Sequence, residues 1–207
     1  MIDLYSSPTP NGRKISIMLE ELGVDFNPIL INLDKKEQFS EHFSKISPVN
    51  KIPVIVDNDN NQTVFESGAI LLYLAKKYDK FLNKDKYWEI IQWVFFQMAY
   101  VGPMLGQAHQ YLFYHPGKSK FAEDKTKGYA QHIYSILDKR LSKQEYFSDT
   151  YSIADISIWP WTARYERHQI NLHDYPNVLR WYKQISTRPA VIKGYNSVGE
   201  SNEIPKP

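Results

Sequence analysis

Apolar positions along this chain change period from element to element. Ile2-Asp3-Leu4-Tyr5 predicts a short strand, and after the turn Ser6-Ser7-Pro8-Thr9-Pro10-Asn11-Gly12 the residues Ile15, Met18, Leu19 and Leu22 recur at helical spacing, with Gly23 as the C-cap. Residues 26–33 read as a second strand and 38–46 as a short helix, and Pro48 leads into Asn50-Lys51-Ile52-Pro53-Val54-Ile55-Val56-Asp57. This last run is β-branched but broken by Pro53, which cannot donate to a ladder, so a bend is predicted there, of the kind a cis bond can make. A turn at Asp57-Asn58-Asp59-Asn60-Asn61, a strand at Thr63-Val64-Phe65 and a long apolar helix over 67–78, with Ser67 as its N-cap, complete the set. The order is strand, helix, strand, helix, strand, strand, helix, which yields a small mixed sheet covered by helices.

Residues 79–86 are charged and aperiodic and read as a linker, beyond which strand signals largely disappear. A helix over 88–114 carries Trp93, Phe96, Gln97, Tyr100, Met104 and Tyr111 at three- and four-residue spacings, with Gly102-Pro103 expected to kink it. Residues 120–141 form a second amphipathic helix with Tyr129, Ile133, Ile136, Leu137 and Leu141 on its apolar stripe. Ser152-Ile153-Ala154-Asp155 is a capping box opening a third, in which Ser152 and Asp155 exchange hydrogen bonds with each other's backbone. Further helices start at Tyr175-Pro176 and Arg188-Pro189, and the tail after Gly199 reads as frayed. Two domains result: a mixed α/β domain over 1–81 and an all-α domain over 87–207.

The 207 residues are 43% hydrophobic, enough to build real cores. Net charge is +2, split as 9 basic and 11 acidic residues over 1–81 and 16 and 12 over 82–207, with no basic cluster, so nucleic acid is not expected as a partner. The chain has no cysteine, which excludes disulfides, thiolate metal sites and a cysteine nucleophile; any thiol chemistry must use a thiol brought by a ligand. The six histidines lack metal-site spacing, and no metal is assigned. Without a basic, apolar leader at Met1-Ile2-Asp3 or an apolar run of about 18 residues, a soluble cytoplasmic protein with no membrane partner is expected.

Two stretches carry chemistry. The Ile52-Pro53 bend and the helix start at Glu66-Ser67 suggest a socket for a small peptide-like anion, with helix N–H groups facing a carboxylate and extended backbone facing the peptide. The turn Thr9-Pro10-Asn11 lies at another helix N-terminus, where a thiol held nearby is favoured as thiolate. Thr9 and Pro10 also read as an ordinary N-cap and N1 proline, and the residues alone leave both readings open. The aromatics of 88–114 likewise read as core or as the lining of an apolar pocket.

Tyr5, Pro8-Thr9-Pro10-Asn11-Gly12, Lys51-Ile52-Pro53, Phe65-Glu66-Ser67-Gly68-Ala69-Ile70-Leu71-Leu72-Tyr73-Leu74, Gly102-Pro103-Met104-Leu105-Gly106-Gln107 and Tyr151-Ser152-Ile153-Ala154-Asp155-Ile156 resemble the glutathione transferase family over nearly the whole chain. The resemblance is strongest to the Nu class, bacterial proteins related to the yeast nitrogen-catabolite prion protein. It implies a thioredoxin-like glutathione-binding domain followed by an all-helical one, glutathione as co-substrate, and a homodimer. Thr9 and Asn11 are implied to donate to the glutathione sulfur, Thr9 standing where some classes have serine, while Tyr5 lies back in the strand. Asn11, Gln38, Lys51, Ile52, Pro53, Glu66 and Ser67 are implied to hold the rest of glutathione, Glu66 and Ser67 taking its γ-glutamyl end. Where such proteins tend to place an arginine that reaches across the dimer, this chain has His132. Tyr100, Met104 and Tyr111 are implied to meet the second substrate. The implied activity is glutathione-dependent reduction of small disulfides; conjugation to hydrophobic electrophiles and a catalytically silent binding module are the alternatives.

Overall fold

A computed structural model describes residues 1–199 and 203–207. Strand β1 (Ile2–Ser6) buries Ile2 and Leu4 completely and pairs in parallel with β2 (Phe26–Leu30). Helix α1 (Pro10–Leu22) connects them and ends at Gly23, whose φ of 68° is the left-handed cap that glycine supplies without steric cost. β2 lies at the sheet edge and carries Pro28 opposite Leu4, a position where a missing N–H is tolerated. It stops at Leu30 rather than at 33, because Asn32 begins a turn in which its side chain accepts from the Lys35 N–H.

The short helix expected over 38–46 is two pieces, a 3-10 turn at Glu37–Phe39 and α2 (Glu41–Ile46). Ser40 separates them in extended conformation and caps α2 by accepting from the Phe43 N–H at 3.3 Å. Phe43 then packs with Ile31 and Val54, and Tyr5, Ile46 and Ile52 close around them. Strand β3 (Val54–Asp57) begins immediately after a cis Ile52-Pro53 bond, so the proline stays outside the ladder. β3 pairs antiparallel with β1 and with β4 (Gln62–Phe65), giving the order β2-β1-β3-β4. Helix α3 (Ser67–Tyr78) packs on α1.

The chain separates into two compact units, Met1–Leu82 with Ser186–Ile204, and Asn83–Ile185 with Pro205–Pro207. The second unit is helical: α4 (Tyr87–Phe96), α5 (Gly102–Ala108), α6 (Lys120–Leu141), α7 (Ile153–Thr162) and α8 (Pro176–Ser186). Where Gly102-Pro103 was expected to kink the helix, helical backbone runs on through a π segment at Gln97–Val101, with a second at His109–Tyr114. A wider turn before Pro103 accommodates a residue that has no N–H and whose ring crowds the preceding turn. α7 is buried along its whole length although it contains Pro160. It starts with the expected capping box: the Asp155 carboxylate accepts from the Ser152 N–H at 3.0 Å, and the Ser152 hydroxyl serves the helix N–H groups. Asp155 also accepts from the Phe147 N–H at 3.1 Å and the Trp181 indole N–H at 2.8 Å.

A second buried polar group in this unit consists of His109, His168 and Tyr134. The two imidazoles stack at 4.8 Å, and the Tyr134 hydroxyl lies 3.0 Å from His168 Nδ1. Burial, with the Arg167 and Arg164 charges, holds His109 down to about 4 and pushes His168 well below the usual histidine range.

Helix α9 (Pro189–Tyr195) belongs to the first unit and packs on α1. Ser16 donates to the Gly194 carbonyl at 2.6 Å, Arg188 forms a two-point pair with Glu21 at 2.6 and 2.8 Å, and the Arg13 guanidinium sits 3.5 Å over the Tyr195 ring. A side chain at Gly194 would stand 2.6 Å from the Ile17 Cα, so the two backbones meet directly. Among the described residues no helix is long and apolar enough to cross a membrane. Of the tail expected to fray after Gly199, residues 200–202 lie outside the described residues; beyond them the Pro205 carbonyl accepts from the Tyr182 hydroxyl at 2.7 Å, against that expectation.

Candidate functional site

The turn from β1 into α1 places Thr9 at the N-cap, where its Oγ1 accepts from the Gly12 N–H at 3.2 Å, and Pro10 at the first helical position. A hydroxyl that accepts one hydrogen bond through oxygen keeps its own proton to donate, so capping and donation to a ligand are compatible in Thr9. Gly12 is required here, because any Cβ would collide with the Ser7 carbonyl and the Ser6 hydroxyl. Asn11 follows in the first turn of the helix, half-buried. Tyr5 points elsewhere: its ring is packed against His42 and Phe43, with centroids 6.0 and 6.4 Å away.

At the other end of the site the chain passes from β4 into α3 within one residue. Ser67, expected as the N-cap, is the first helical residue instead, and Glu66 occupies the cap position with φ 69° and ψ 116° and no side-chain bond to the helix. The abrupt strand-to-helix turn demands this positive φ, a conformation that costs a non-glycine residue about 1–3 kcal/mol and that concentrates at functional sites. Glu66 is left exposed and Ser67 buried. The Ser67 hydroxyl accepts from Lys14 Nζ at 3.2 Å. Lys14 comes from α1, is fully buried, and is pushed by that burial well below the usual lysine range, with the Glu66 charge pulling the other way.

Between these elements lies an open cleft of about 150 Å³ lined by Asn11, Val49, Lys51, Ile52, Pro53, Glu66 and Ser67. Six of the residues singled out in the sequence therefore meet around one cavity. Thr9 stands two residues before Asn11 on the same turn but does not line the cleft, and Gln38 stands in the 3-10 turn at Glu37–Phe39, also outside its lining. The remaining candidates belong to the second unit: His132 is exposed on α6, and Tyr100, Met104 and Tyr111 are half-buried along the α5 stretch and its flanking π segments. Lys14, Val49 and the backbone of Glu66 carried no signal in the sequence. Lys14 sits in a helical stretch whose Ile15, Met18 and Leu19 announced the buried face, and burial of Arg13 and Lys14 beside them depends on what α9 and α3 bring. Among the described residues no cluster of three or more histidines, cysteines and carboxylates could hold a metal ion.

The cleft combines the start of α3, a cation at Lys51, a carboxylate at Glu66 and the Asn11 amide at a second helix N-terminus, as suits a short zwitterionic peptide. The sheet and helices around it define a thioredoxin-like domain followed by a helical one, and the chain belongs to the glutathione S-transferase family: residues 1–76 match its N-terminal domain and 100–189 its C-terminal domain. Its relatives include the disulfide-bond oxidoreductase YfcG of Escherichia coli (strain K12), 43% identical over 92% of both chains. Among solved structures it is similar to a glutathione transferase from Pseudomonas putida with one glutathione disulfide bound per subunit, at 36% identity and a TM-score of 0.89 over 94% of this chain and 90% of that one. One from Burkholderia graminis, with two glutathione molecules bound per subunit, is 38% identical at a TM-score of 0.89 over 95% of this chain and 88% of that one.

Proposed function

We propose that this protein is a glutathione-dependent disulfide-bond reductase whose glutathione site is the cleft between Asn11, the Ile52-Pro53 segment and the start of α3. The observation that carries the reading is the convergence of Asn11, Lys51, Glu66 and Ser67 on one cavity at two helix N-termini. The γ-glutamyl ammonium pairs with Glu66, its α-carboxylate takes the α3 N-terminus and Ser67, and the Ile52 backbone pairs with the cysteinyl residue as an added strand. Lys51 attracts the glycyl carboxylate, with Gln38 at the edge of the site. The sulfur then lies near Thr9 and Asn11, which donate to it and favour thiolate over thiol.

With no cysteine in the chain, the protein forms no mixed disulfide of its own. One glutathione thiolate attacks a sulfur of the substrate disulfide, forming a glutathionyl mixed disulfide and releasing the other half as a thiolate, which takes a proton. A second glutathione thiolate attacks that mixed disulfide, giving glutathione disulfide and the second substrate thiol. The bound forms named for the Pseudomonas putida and Burkholderia graminis proteins, one glutathione disulfide and two glutathiones per subunit, match the product and the co-substrates of such a cycle. Half-buried Tyr100, Met104 and Tyr111 supply apolar surface for the second substrate, and exposed His132 is available to a homodimer partner. The need for a pool of reduced glutathione places the reaction in the cytoplasm.

The test pairs calorimetric binding of glutathione and its disulfide with turnover of 2-hydroxyethyl disulfide. Both are expected for the wild type, and Glu66→Ala with Ser67→Ala is expected to abolish binding at unchanged fold. Binding that survives the double substitution would put the socket elsewhere, and binding without turnover would favour a silent binding module.

A further inference from the structure

Arg13 and Lys14 are consecutive, both cationic and both buried, yet they serve different partners. Arg13 is directed to α9, donating to the Tyr195 carbonyl at 3.1 Å and stacking on its ring. Lys14 is directed to the start of α3, where it meets the hydroxyl of Ser67 at 3.2 Å, behind the wall of the cleft. An apolar residue would fill this interior position at lower cost, since a buried ammonium loses hydration worth several kcal/mol. A buried lysine bonded to a serine that lines the cavity is placed to act on an anion held there.

We propose that Lys14 is a positioning residue for the γ-glutamyl α-carboxylate of glutathione, acting through Ser67 without touching the ligand. The inference rests on the glutathione reading of the cleft and adds a third component to its anion subsite, alongside the α3 N–H groups and the Ser67 hydroxyl. Lys14 donates to Ser67 Oγ and so fixes the rotor of the hydroxyl that faces the carboxylate. The exposed carboxylate of Glu66 acts on the same ammonium, so an arriving carboxylate joins a charge arrangement already in place. Burial, which disfavours the charged lysine, makes the ligand's negative charge count for more at this site than it would at a solvated lysine.

The experiment compares glutathione with γ-aminobutyryl-cysteinyl-glycine, which lacks only the γ-glutamyl α-carboxylate and keeps the ammonium, and with a third ligand, glutaryl-cysteinyl-glycine, which keeps that carboxylate but replaces the ammonium by hydrogen. Lys14→Met is expected to weaken both carboxylate-bearing ligands about tenfold or more by calorimetry, and the ligand without a carboxylate less than twofold. Because Lys14→Met leaves a long apolar side chain in a buried site, its melting temperature is measured alongside. Ser67→Ala, which cuts the link without touching the lysine, is expected to reduce the same discrimination, and Lys14→Met added to it to cost less than a further twofold. Equal loss for all three ligands, no loss for any, or full discrimination retained in Ser67→Ala would overturn the proposal. If the wild type binds none of them, the glutathione reading itself fails; if it binds all three with equal affinity, that reading stands and the role of Lys14 falls.

Discussion

Helices α3 and α7 both begin with a serine and an acid, and the two starts are built to opposite ends. At α7, Ser152 is the cap, Asp155 returns a hydrogen bond to its N–H, and the same carboxylate takes the Phe147 N–H and the Trp181 indole, all out of reach of water. At α3 the order is reversed: Glu66 holds the cap position in a strained positive-φ conformation without capping, and Ser67 is engaged from behind by Lys14. A helix leaves its first four N–H groups without intrahelical partners. At α7 the capping box serves them, whereas the start of α3 lines a cleft. Polar residues of the same types thus close a buried helix start in one unit and line a cleft in the other, and the surroundings decide which.

The largest effect should come from breaking the closed start. Asp155→Ala leaves several buried donors without an acceptor and is expected to cost about 3–5 kcal/mol in urea unfolding, while glutathione affinity per folded molecule stays unchanged. Burial pushes the Asp155 carboxyl up to about 6 against the pull of its donors, which still leaves it ionised at neutral pH.

The histidine pair of the second unit extends the comparison to pH. His109 is held below its unfolded value near 6.5, so its neutral form contributes stability that is fully present above about pH 6.5 and is lost as pH falls toward 4. His109→Phe, which keeps a ring against Trp161 and His168, should remove up to about 3 kcal/mol of that pH dependence. The measurement is the difference between the two unfolding profiles from pH 7 to 4, since Asp155, with its raised value, contributes with the opposite sign below about 6. Parallel profiles would show that His109 is not kept neutral by the fold.

At the open side, Thr9→Gly separates capping from donation. Glycine at an N-cap costs only a few tenths of a kcal/mol, whereas a lost donor to a thiolate costs about 1.5–3 kcal/mol, so disulfide reductase turnover should fall roughly 10- to 150-fold with little change in melting temperature. Full activity in this variant would return Thr9 to the role of a cap. The smallest effect is a gain: Glu66→Gly should relieve the positive-φ strain and stabilise the protein by about 0.5–1 kcal/mol while weakening glutathione. A variant less stable than wild type would mean that the Glu66 side chain supports the fold as well as the cleft.

Several elements were readable in the chain because local rules act alone there. The span of α1 follows from its apolar spacing and Gly23, that of α6 from its stripe, and the start of α7 from the Ser152–Asp155 box. Pro53 announced the bend ahead of β3 because a proline cannot enter a central ladder. The residues around the cleft were readable for a different reason: helix starts and a proline bend are punctuation, and the resemblance supplied the order in which they meet.

What tertiary structure alone decided lies where a residue's environment comes from a distant segment. Nothing in 189–195 says that α9 packs on α1, since Gly194 is simply the residue that lets two backbones touch. Ser40 splits 38–46 because the chain must re-aim Phe43 into the pocket formed by Ile31 and Val54, and the stretch around Gly102-Pro103 widens into π turns rather than breaking. Glu66 takes its positive φ because a strand and a helix fixed elsewhere leave it one residue in which to turn. Lys14 drew no reading from the helical pattern, and only its partner Ser67, 53 positions further along, accounts for a buried lysine there. Spacing determines which side of a helix is apolar, but the partner that covers each polar residue is set by contacts distant in sequence, and burial, pKa and function follow from that partner.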